Sequence, residues 1–260
     1  MSRRFFGRSR PRRLQSPPVG PLVNVDSMDG IATITLDSPT NRNALSQQLL
    51  IDFHAALDEA EHGSARVVVL THSGPAFCAG ADLKERSTGR VDSASFVSAI
   101  ERLGTTSAPV IAAVNGPVRA GGIGLMAACD LVVVNSSITF AFAEVRIGVA
   151  PAIITAPIMQ RCGWSKLAAP YLTGEIFDAA RALDIGLVTH VTDDVATCVA
   201  ELARGIMLGG PNAVAATKRL LRTTQSMAEL QALSESLFTS VEGREGMAAF
   251  AEKRLPRWAR

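Results

Sequence analysis

The chain has 260 residues, of which 47% are hydrophobic and 19% are charged, and its formal net charge is +2. This composition is typical of a globular protein with a large core, and it excludes a disordered chain. No apolar run reaches the length of a membrane-spanning helix and no basic stripe carries interleaved aromatic residues, so neither a membrane nor nucleic acid is expected as a partner.

The first 20 residues form a basic tail that contains six arginines and no acidic residue. Prolines near its end predict a solvated, disordered segment over residues 1–20. A transit peptide, a nucleic-acid or membrane patch and a dispensable extension are all compatible with this composition, and the extension is favoured. Because the tail lacks an apolar stretch, a secretory signal is not expected, and we predict a cytoplasmic protein.

An α/β core domain is predicted over residues 21–195, because strands and helices alternate along it. Its first elements are a hairpin around the turn at Asp29 and a helix from Ser46 to Gly63 with one apolar face. Further strands are predicted at 67–71, 110–114, 131–134 and 139–142, and further helices at 93–103 and 121–129.

Helical patterns dominate after residue 151, so residues 196–260 are predicted to form a C-terminal helical region. The helices are predicted at 153–162, 164–172, 178–185, 195–208, 213–222 and 227–250, and a single strand at 187–191.

Two turns made of small residues follow two consecutive strands of the predicted core. One spans residues 74–83 (GPAFCAGADL) and the other residues 115–122 (NGPVRAGG). Small residues let the backbone approach a ligand closely and direct its N–H groups at it. The two turns together therefore predict an oxyanion hole for a carbonyl oxygen, and the absence of a G-x-S-x-G motif disfavours a serine nucleophile.

A set of motifs resembles the crotonase (enoyl-CoA hydratase/isomerase) superfamily, in order and at the family's spacing. The motifs are NRNAL (41–45), AFCAGADL (76–83), AVNG (113–116), AGG (120–122), CD (129–130), LTG (172–174) and GLV (186–188). The resemblance implies a spiral of ββα units with a helical C-terminal oligomerisation region, arranged as a homotrimer or a dimer of trimers.

The same resemblance implies that the substrate is an acyl-CoA thioester whose carbonyl lies between the backbone N–H groups of Ala81 and Gly121. The residues it implies for CoA binding are Arg42, Ala44, Cys78, Ala79, Ala81, Asp82, Leu83 and Lys84. No separate cofactor is expected, because CoA is part of the substrate. No metal is expected either, since neither the four cysteines nor the four histidines show metal-ligand spacing.

The reaction depends on two positions that carry glutamates in family hydratases. Here the first position is Gly124 and the second is Glu144. Two carboxylates hold and deprotonate the water that a hydratase adds, whereas moving a double bond requires only one base. The chain therefore resembles family members that isomerise 3-enoyl-CoA to 2-enoyl-CoA, with Glu144 as the base. A hydratase that lacks the first acid and a non-catalytic acyl-CoA binder are the alternatives.

Two neighbours of Glu144 influence its predicted basicity in opposite directions. Apolar residues such as Phe142 and Val145 would raise its pKa by desolvation. Arg146 would share a face with Glu144 if the segment were a strand, and an ion pair would then lower the pKa. Several apolar residues are predicted either to line an acyl-chain pocket or to belong to the ordinary core, and these are Phe96, Ile100, Ile153, Ile154 and Ile158.

Overall fold

The computed structural model describes residues 20–87 and 93–259 of the chain, so the predicted basic tail lies outside the described residues except for Gly20. The strands are β1 (Val23–Met28), β2 (Ile31–Leu36), β3 (Val67–His72), β4 (Val110–Val114), β5 (Val118–Arg119), β6 (Leu131–Asn135), β7 (Thr139–Ala141), β8 (Ile176–Asp178) and β9 (His190–Thr192). The helices are α1 (Gln47–His62), α2 (Leu83–Arg86), α3 (Ala94–Thr105), α4 (Gly121–Ala128), α5 (Ala152–Met159), α6 (Trp164–Thr173), α7 (Ala179–Asp184), α8 (Val195–Met207), α9 (Pro211–Arg222), α10 (Met227–Thr239) and α11 (Val241–Ala251).

The main sheet has the strand order β1-β2-β3-β4-β6-β9, and all of its pairs are parallel except the β1–β2 hairpin. Its central strands are apolar on both faces. In β3, Val68 and Leu70 belong to the larger core cluster, whereas Val67 and Val69 belong to a second cluster that includes residues of α8. This covering of both faces is characteristic of parallel sheets. The predicted α/β class, with a helical C-terminal part, is confirmed.

Helix α1 illustrates how local sequence sets an element. The Ser46 side chain accepts a hydrogen bond from the Leu49 N–H (3.2 Å), which satisfies a free donor of the first turn, and the helix ends at Gly63. Its buried residues are Leu49, Leu50, Phe53, Ala56, Leu57 and Ala60. These are the residues of the predicted apolar face, which is confirmed.

A small second sheet, of order β5-β7-β8, was not predicted in full. Strands β5 and β8 were missed because they have two and three residues, too few for a periodic pattern. Arg119 joins β5 to β7, since its guanidinium donates to the Thr139 carbonyl (2.5 Å) and hydroxyl (2.8 Å). Arg119 thus reinforces the pairing of β5 with β7, within the second predicted turn.

Two predicted boundaries are wrong. The helix predicted over 227–250 is two helices, α10 and α11, because the Ser240 hydroxyl accepts from the Gly243 N–H (2.8 Å) and starts a new helix. The strand predicted over 187–191 is confined to His190–Thr192. Leu187 and Val188 before it are buried in the larger core cluster instead.

A buried ion pair attaches the C-terminal helices to the core domain. Lys218 of α9 is 5% exposed, and its ammonium lies 2.9 Å from the Asp130 carboxylate. It also donates to the carbonyls of Leu103 and Ala108, each at 3.0 Å. Arg222 donates to the other carboxylate oxygen at 2.7 Å. The charge of Asp130 is thereby shared between two cations of one helix.

The predicted domain boundary falls at the start of α8. This helix packs its buried residues Val195, Val199 and Ala203 on the main sheet, so it covers one face of the core. The division into residues 21–195 and 196–260 stays a prediction. Within residues 20–87 and 93–259, no helix is long and apolar enough to cross a membrane.

Replacing Lys218 by methionine is expected to lower the free energy of unfolding by about 3 kcal/mol, because it leaves buried polar partners without their cation. Lys166→Met is the matched control, since Lys166 forms an exposed pair with Asp184 (3.7 Å) and such pairs contribute less than about 1 kcal/mol. Urea unfolding at one protein concentration measures both variants. Equal losses in the two variants would contradict this account of the ion pair.

Candidate active site

The two predicted turns lie in contact with each other. Gly80 has φ +91°, and a Cβ built on it would lie 2.8 Å from the Ala120 Cβ and 3.5 Å from the Gly121 nitrogen. No side chain fits at that distance, and L-residues rarely adopt that φ. Glycine at position 80 therefore allows the first turn to approach the second.

The N–H group of Ala81 is left free by the way the first turn pairs with residue 45. The Leu45 N–H donates to the Gly80 carbonyl (2.7 Å), and the Asp82 N–H donates to the Leu45 carbonyl (3.4 Å). In such a parallel bridge the residue in the middle directs its own N–H to the opposite side. Ala81 donates no hydrogen bond within the described residues.

The N–H group of Gly121 donates no hydrogen bond to any residue that the structure describes, because Gly121 is the first residue of α4. The opening amides of a helix have no partner within it and lie at its positive end. The preceding Ala120 has φ +48°, a conformation that costs a non-glycine residue about 1–3 kcal/mol. The free amides of Ala81 and Gly121 lie at the seam where the two turns meet. Two such amides can stabilise a negatively charged oxygen.

Some of the residues expected to bind CoA border this seam. The Ala79 N–H donates to the Arg42 carbonyl (3.0 Å), so the loop at residue 42 runs beside the first turn. Ala44 is buried. Cys78 is also buried, and a Cβ on Gly122 would lie 2.6 Å from the Cys78 Cβ. Burial raises the pKa of the Cys78 thiol to about 12, so this side chain stays neutral and inside the core.

The other three expected CoA-binding residues start helix α2. The Asp82 carboxylate accepts hydrogen bonds from the N–H groups of Lys84 (3.0 Å) and Glu85 (3.2 Å), so it caps the helix. Leu83 is 58% exposed, and Lys84 is exposed as well. Asp82 therefore has a structural role, whereas Leu83 and Lys84 are accessible to a ligand.

Glu144 lies in a 3-10 helix, Ala143–Ile147, that follows β7. Its carboxylate is half-buried, and its Oε2 atom is buried without a hydrogen-bond partner among the described residues. Burial raises the pKa of Glu144, and its own backbone N–H offsets this only in part. A carboxylate with a raised pKa in an apolar environment is suited to accepting and returning a proton.

Glu144 and Arg146 do not meet the condition under which a shared face was expected, because this segment is helical rather than a strand. The Arg146 guanidinium donates through Nε to the Thr173 carbonyl (3.2 Å). It forms no ion pair with Glu144 in the part of the chain that the structure describes. The effect expected to weaken the base is therefore absent there.

Gly124 packs directly against helix α5. A Cβ built on Gly124 would lie 2.3 Å from Ile154 Cγ2 and 2.7 Å from Ile154 Cβ. Any side chain at position 124 would require Ile154 to move. The position of the missing acid is thus closed by an isoleucine, which is 3% exposed. Phe96 is also beside the turns, with its Cζ 3.5 Å from a Cβ built on Gly121.

Tyr171 is a site residue that the sequence did not reveal. It lies on α6, with its ring centroid 4.3 Å from that of Phe142, and its hydroxyl is buried without a hydrogen-bond partner among residues 20–87 and 93–259. Burial, together with the negative charge of Glu144, raises the pKa of Tyr171 to about 12. The one available signal was that Tyr171 is the only tyrosine of the chain.

Other features of the described residues do not add to this site. They contain no group of three or more His, Cys, Asp or Glu side chains that could hold a metal ion. Clefts lie on the far side of the main sheet and among the C-terminal helices, near Arg66, Phe238 and Trp258. None of these clefts includes Ala81, Gly121 or Glu144.

Comparison with solved structures identifies the class of protein. The crystal structure of enoyl-CoA hydratase from Mycobacterium smegmatis matches with a TM-score of 0.85 and 31% sequence identity, and it covers 92% of this chain and 100% of that chain. The fold, with its two joined turns, defines an enzyme of the crotonase superfamily.

Comparison with sequences narrows the class to a family. Residues 26–260 match the family described as Enoyl-CoA hydratase/isomerase. Enoyl-CoA hydratase EchA19 of Mycobacterium tuberculosis is 32% identical over 256 residues (91% of this chain, 96% of that protein). Enoyl-CoA isomerase/hydratase fer4 of Mycosarcoma maydis is 31% identical over 254 residues (88% and 92%). The chain belongs to the enoyl-CoA hydratase/isomerase family.

The single tyrosine allows the environment of the site to be measured directly. In the folded protein, phenolate absorbance is expected to appear only near pH 12, well above the value of about 10 for a free tyrosine. Glu144→Gln is expected to lower that pKa, because it removes a negative charge that disfavours the phenolate. The titration is followed by near-ultraviolet absorbance, with circular dichroism to verify that the protein is folded. An identical titration in the variant would show that the two groups do not interact.

Proposed function

We propose that this acyl-CoA enzyme catalyses the isomerisation of 3-enoyl-CoA to 2-enoyl-CoA with Glu144 as its single base. The observation that carries the proposal is the packing of Gly124 against Ile154, which leaves no room for a second acid at that position. Glu144 is half-buried and has a raised pKa. A single base in an apolar environment is what a proton shuttle between two carbons of one substrate needs.

In the proposed reaction the thioester carbonyl accepts hydrogen bonds from the amides of Ala81 and Gly121. The Glu144 carboxylate removes a proton from C2 of the 3-enoyl group, and the electrons move onto the carbonyl oxygen as a dienolate. Each amide stabilises that developing charge by a few kcal/mol, about 3 kcal/mol for one donor. The protonated Glu144 then delivers its proton to C4, which leaves the double bond between C2 and C3 and restores the base.

The CoA part of the substrate is proposed to lie along residues 42–45 and the first turn. The N–H of Ala81 and the exposed side chains of Leu83 and Lys84 are available for it. Arg42 and Ala79 border this path, but their N–H groups already donate within the protein. Cys78 and Asp82 would contribute only through their main chain, because one side chain is in the core and the other caps α2. CoA arrives with the substrate, so we propose no separate cofactor and no metal. A cytoplasmic location stays a prediction.

Hydration of 2-enoyl-CoA is the second candidate, and one observation favours it. The buried Tyr171 hydroxyl lies in the region of Glu144 and has no protein partner among the described residues, so a second polar group is available there. The name of fer4 includes both activities. The two reactions share the enolate and the base, and they differ in whether a water oxygen bonds to C3.

A homotrimer or a dimer of trimers is also proposed, on the evidence of the C-terminal helices. Helix α10 has no buried residue, and Met227 and Phe238 on it are 79% and 63% exposed. On α11, Val241 and Phe250 are 78% and 87% exposed. Large apolar side chains exposed together mark an interaction surface. The family resemblance implies that further copies of the same chain cover this surface.

Glu144→Gln is expected to lower kcat/KM for a 3-enoyl-CoA substrate roughly 100- to 10,000-fold, because the general base is lost. Binding of a saturated acyl-CoA is expected to persist. Glu201→Gln, on the exposed face of α8, is the matched control and is expected to be as active as the parent. Turnover of the Glu144 variant at the parent's rate would exclude Glu144 as the base. A parent that binds CoA esters and turns none over would indicate a binding protein.

The pH dependence of kcat/KM in the parent enzyme tests the raised pKa of Glu144 with the same assay. Only ionised Glu144 can remove a proton, so kcat/KM is expected to fall as the pH drops through its raised pKa. The midpoint of that fall should lie above the usual carboxyl value of about 4.3. A midpoint at or below that value would contradict the proposed desolvation of the base.

Sedimentation equilibrium is expected to give the mass of three or six chains of 27.4 kDa. Phe250→Asp is expected to shift the distribution toward single chains, because it buries a charge in the proposed interface. A parent that sediments as a single chain at all concentrations tested would contradict the proposal.

A further inference from the structure

Two buried oxygen atoms that have no hydrogen-bond partner within residues 20–87 and 93–259 lie on neighbouring elements of this site. They are Glu144 Oε2, in the 3-10 helix after β7, and Tyr171 Oη, on α6. Buried polar atoms in folded proteins nearly always have a hydrogen-bond partner, so each of these atoms requires an explanation. Arg66 Nε is the third buried side-chain atom without a partner among the described residues, and both terminal nitrogens of its guanidinium donate to carbonyls of the C-terminal part, those of Met207, Gly209 and Trp258.

The packing places the two atoms in one region of the molecule. Helix α6 packs against the 3-10 helix that contains Glu144. The ring of Tyr171 contacts that of Phe142, two residues before Glu144, and Phe142 in turn contacts Phe177. The negative charge of Glu144 acts on the phenol of Tyr171. The carboxylate of Glu144 and the phenol of Tyr171 thus lie in the same apolar environment.

Two polar side chains in the vicinity of this pair donate to backbone carbonyls instead. The Thr155 hydroxyl lies beside the phenol, where it acts to lower the pKa of Tyr171, but it forms no hydrogen bond of acceptable geometry with it. Thr155 donates its own hydrogen to the Pro151 carbonyl (2.7 Å). Arg146 is directed to the Thr173 carbonyl. The phenol therefore offers a hydrogen-bond donor, and the ionised carboxylate offers an acceptor.

A hydroxyl oxygen satisfies both groups at once, because it accepts one hydrogen bond and donates another. We propose that Tyr171 is a positioning residue that holds the C3 oxygen of the substrate, as water before addition and as the 3-hydroxyl after it, against Glu144. Tyr171 would thereby fill the role of the acid that Gly124 and Ile154 exclude. The inference rests on hydration, the second candidate of the proposed function, and it shares Glu144 as the base with the proposed isomerisation.

The proposed role of Tyr171 belongs to the addition of water to 2-enoyl-CoA, and the atoms of that step balance. Glu144 accepts one proton of the water while the water oxygen forms a bond to C3 of the 2-enoyl group. The C2–C3 π electrons move through C2 to the carbonyl oxygen, where the amides of Ala81 and Gly121 hold the enolate. Protonated Glu144 then delivers its proton to C2. Tyr171 donates a hydrogen bond throughout and keeps its proton, so the net change is the addition of one water molecule.

The test compares two reactions of the same proteins. Tyr171→Phe removes only the hydroxyl and keeps the ring that packs on Phe142. It is expected to lower kcat/KM for hydration of 2-enoyl-CoA by about ten-fold or more. Isomerisation of the matched 3-enoyl-CoA is expected to stay within about two-fold of the parent, since no oxygen at C3 takes part. A purely structural role would lower both reactions together.

A binding measurement keeps the proposal testable in the absence of turnover. In the Glu144→Gln background, Tyr171→Phe is expected to weaken the affinity for 3-hydroxyacyl-CoA by about five- to ten-fold and to leave the affinity for the saturated acyl-CoA unchanged. Calorimetry with these two ligands measures the difference.

The outcomes separate this inference from the proposed function. Loss of hydration and of 3-hydroxyacyl affinity in the Tyr171 variant, with isomerisation retained, supports the inference. Equal effects on both reactions, or unchanged affinity for 3-hydroxyacyl-CoA, would overturn it while Glu144 remains the base. Full isomerisation by Glu144→Gln would overturn the proposed function itself, whatever the Tyr171 variant does.

Discussion

The close approach of two backbone turns is the constraint on which the rest of this structure depends. At Gly80 and Gly122 a Cβ would come within 2.8 Å or less of the facing turn, so glycine is required at both positions. The turns reach each other because they follow β3 and β4, which are adjacent and parallel and therefore end at the same edge of the sheet. The free amides of Ala81 and Gly121 are a consequence of this contact.

The opposite side of the site is made by helices and not by the main sheet. Helix α5 directs Ile154 toward Gly124 of α4 and places Thr155 beside Tyr171 of α6. The same helix thus closes the position of one acid and borders the polar pair formed by Glu144 and Tyr171. The candidate site therefore has no acidic side chain at position 124, and the polar side chains of Glu144 and Tyr171 lie on neighbouring elements.

The C-terminal helices combine a strong attachment with an unusually apolar surface. Lys218 and Arg222 of α9 bind Asp130, which lies two residues after the end of α4, so this attachment is near the end of the helix that begins at Gly121. Beyond α9, Met227 and Phe238 of α10 and Val241, Met247 and Phe250 of α11 are exposed. The carboxylate of Glu242, in the first turn of α11, accepts from the N–H groups of Asn212 and Ala213 of α9, so the exposed surface is connected to the helix that carries the attachment.

The sequence by itself determined the α/β class, the apolar face of α1, the two small-residue turns and the loss of an acid at position 124. These are local properties, because they follow from periodicity, capping residues and the absence of side chains. The tertiary structure alone decided that Ile154 fills the space at Gly124, that Arg146 turns away from Glu144, and that the ring of Tyr171 packs against Phe142, close to Glu144 in the chain. It also divided residues 227–250 at Ser240. The first three are contacts between residues that are distant in sequence, and the last is a choice between competing local hydrogen bonds. The pattern of a single segment does not specify which partner it will pack against.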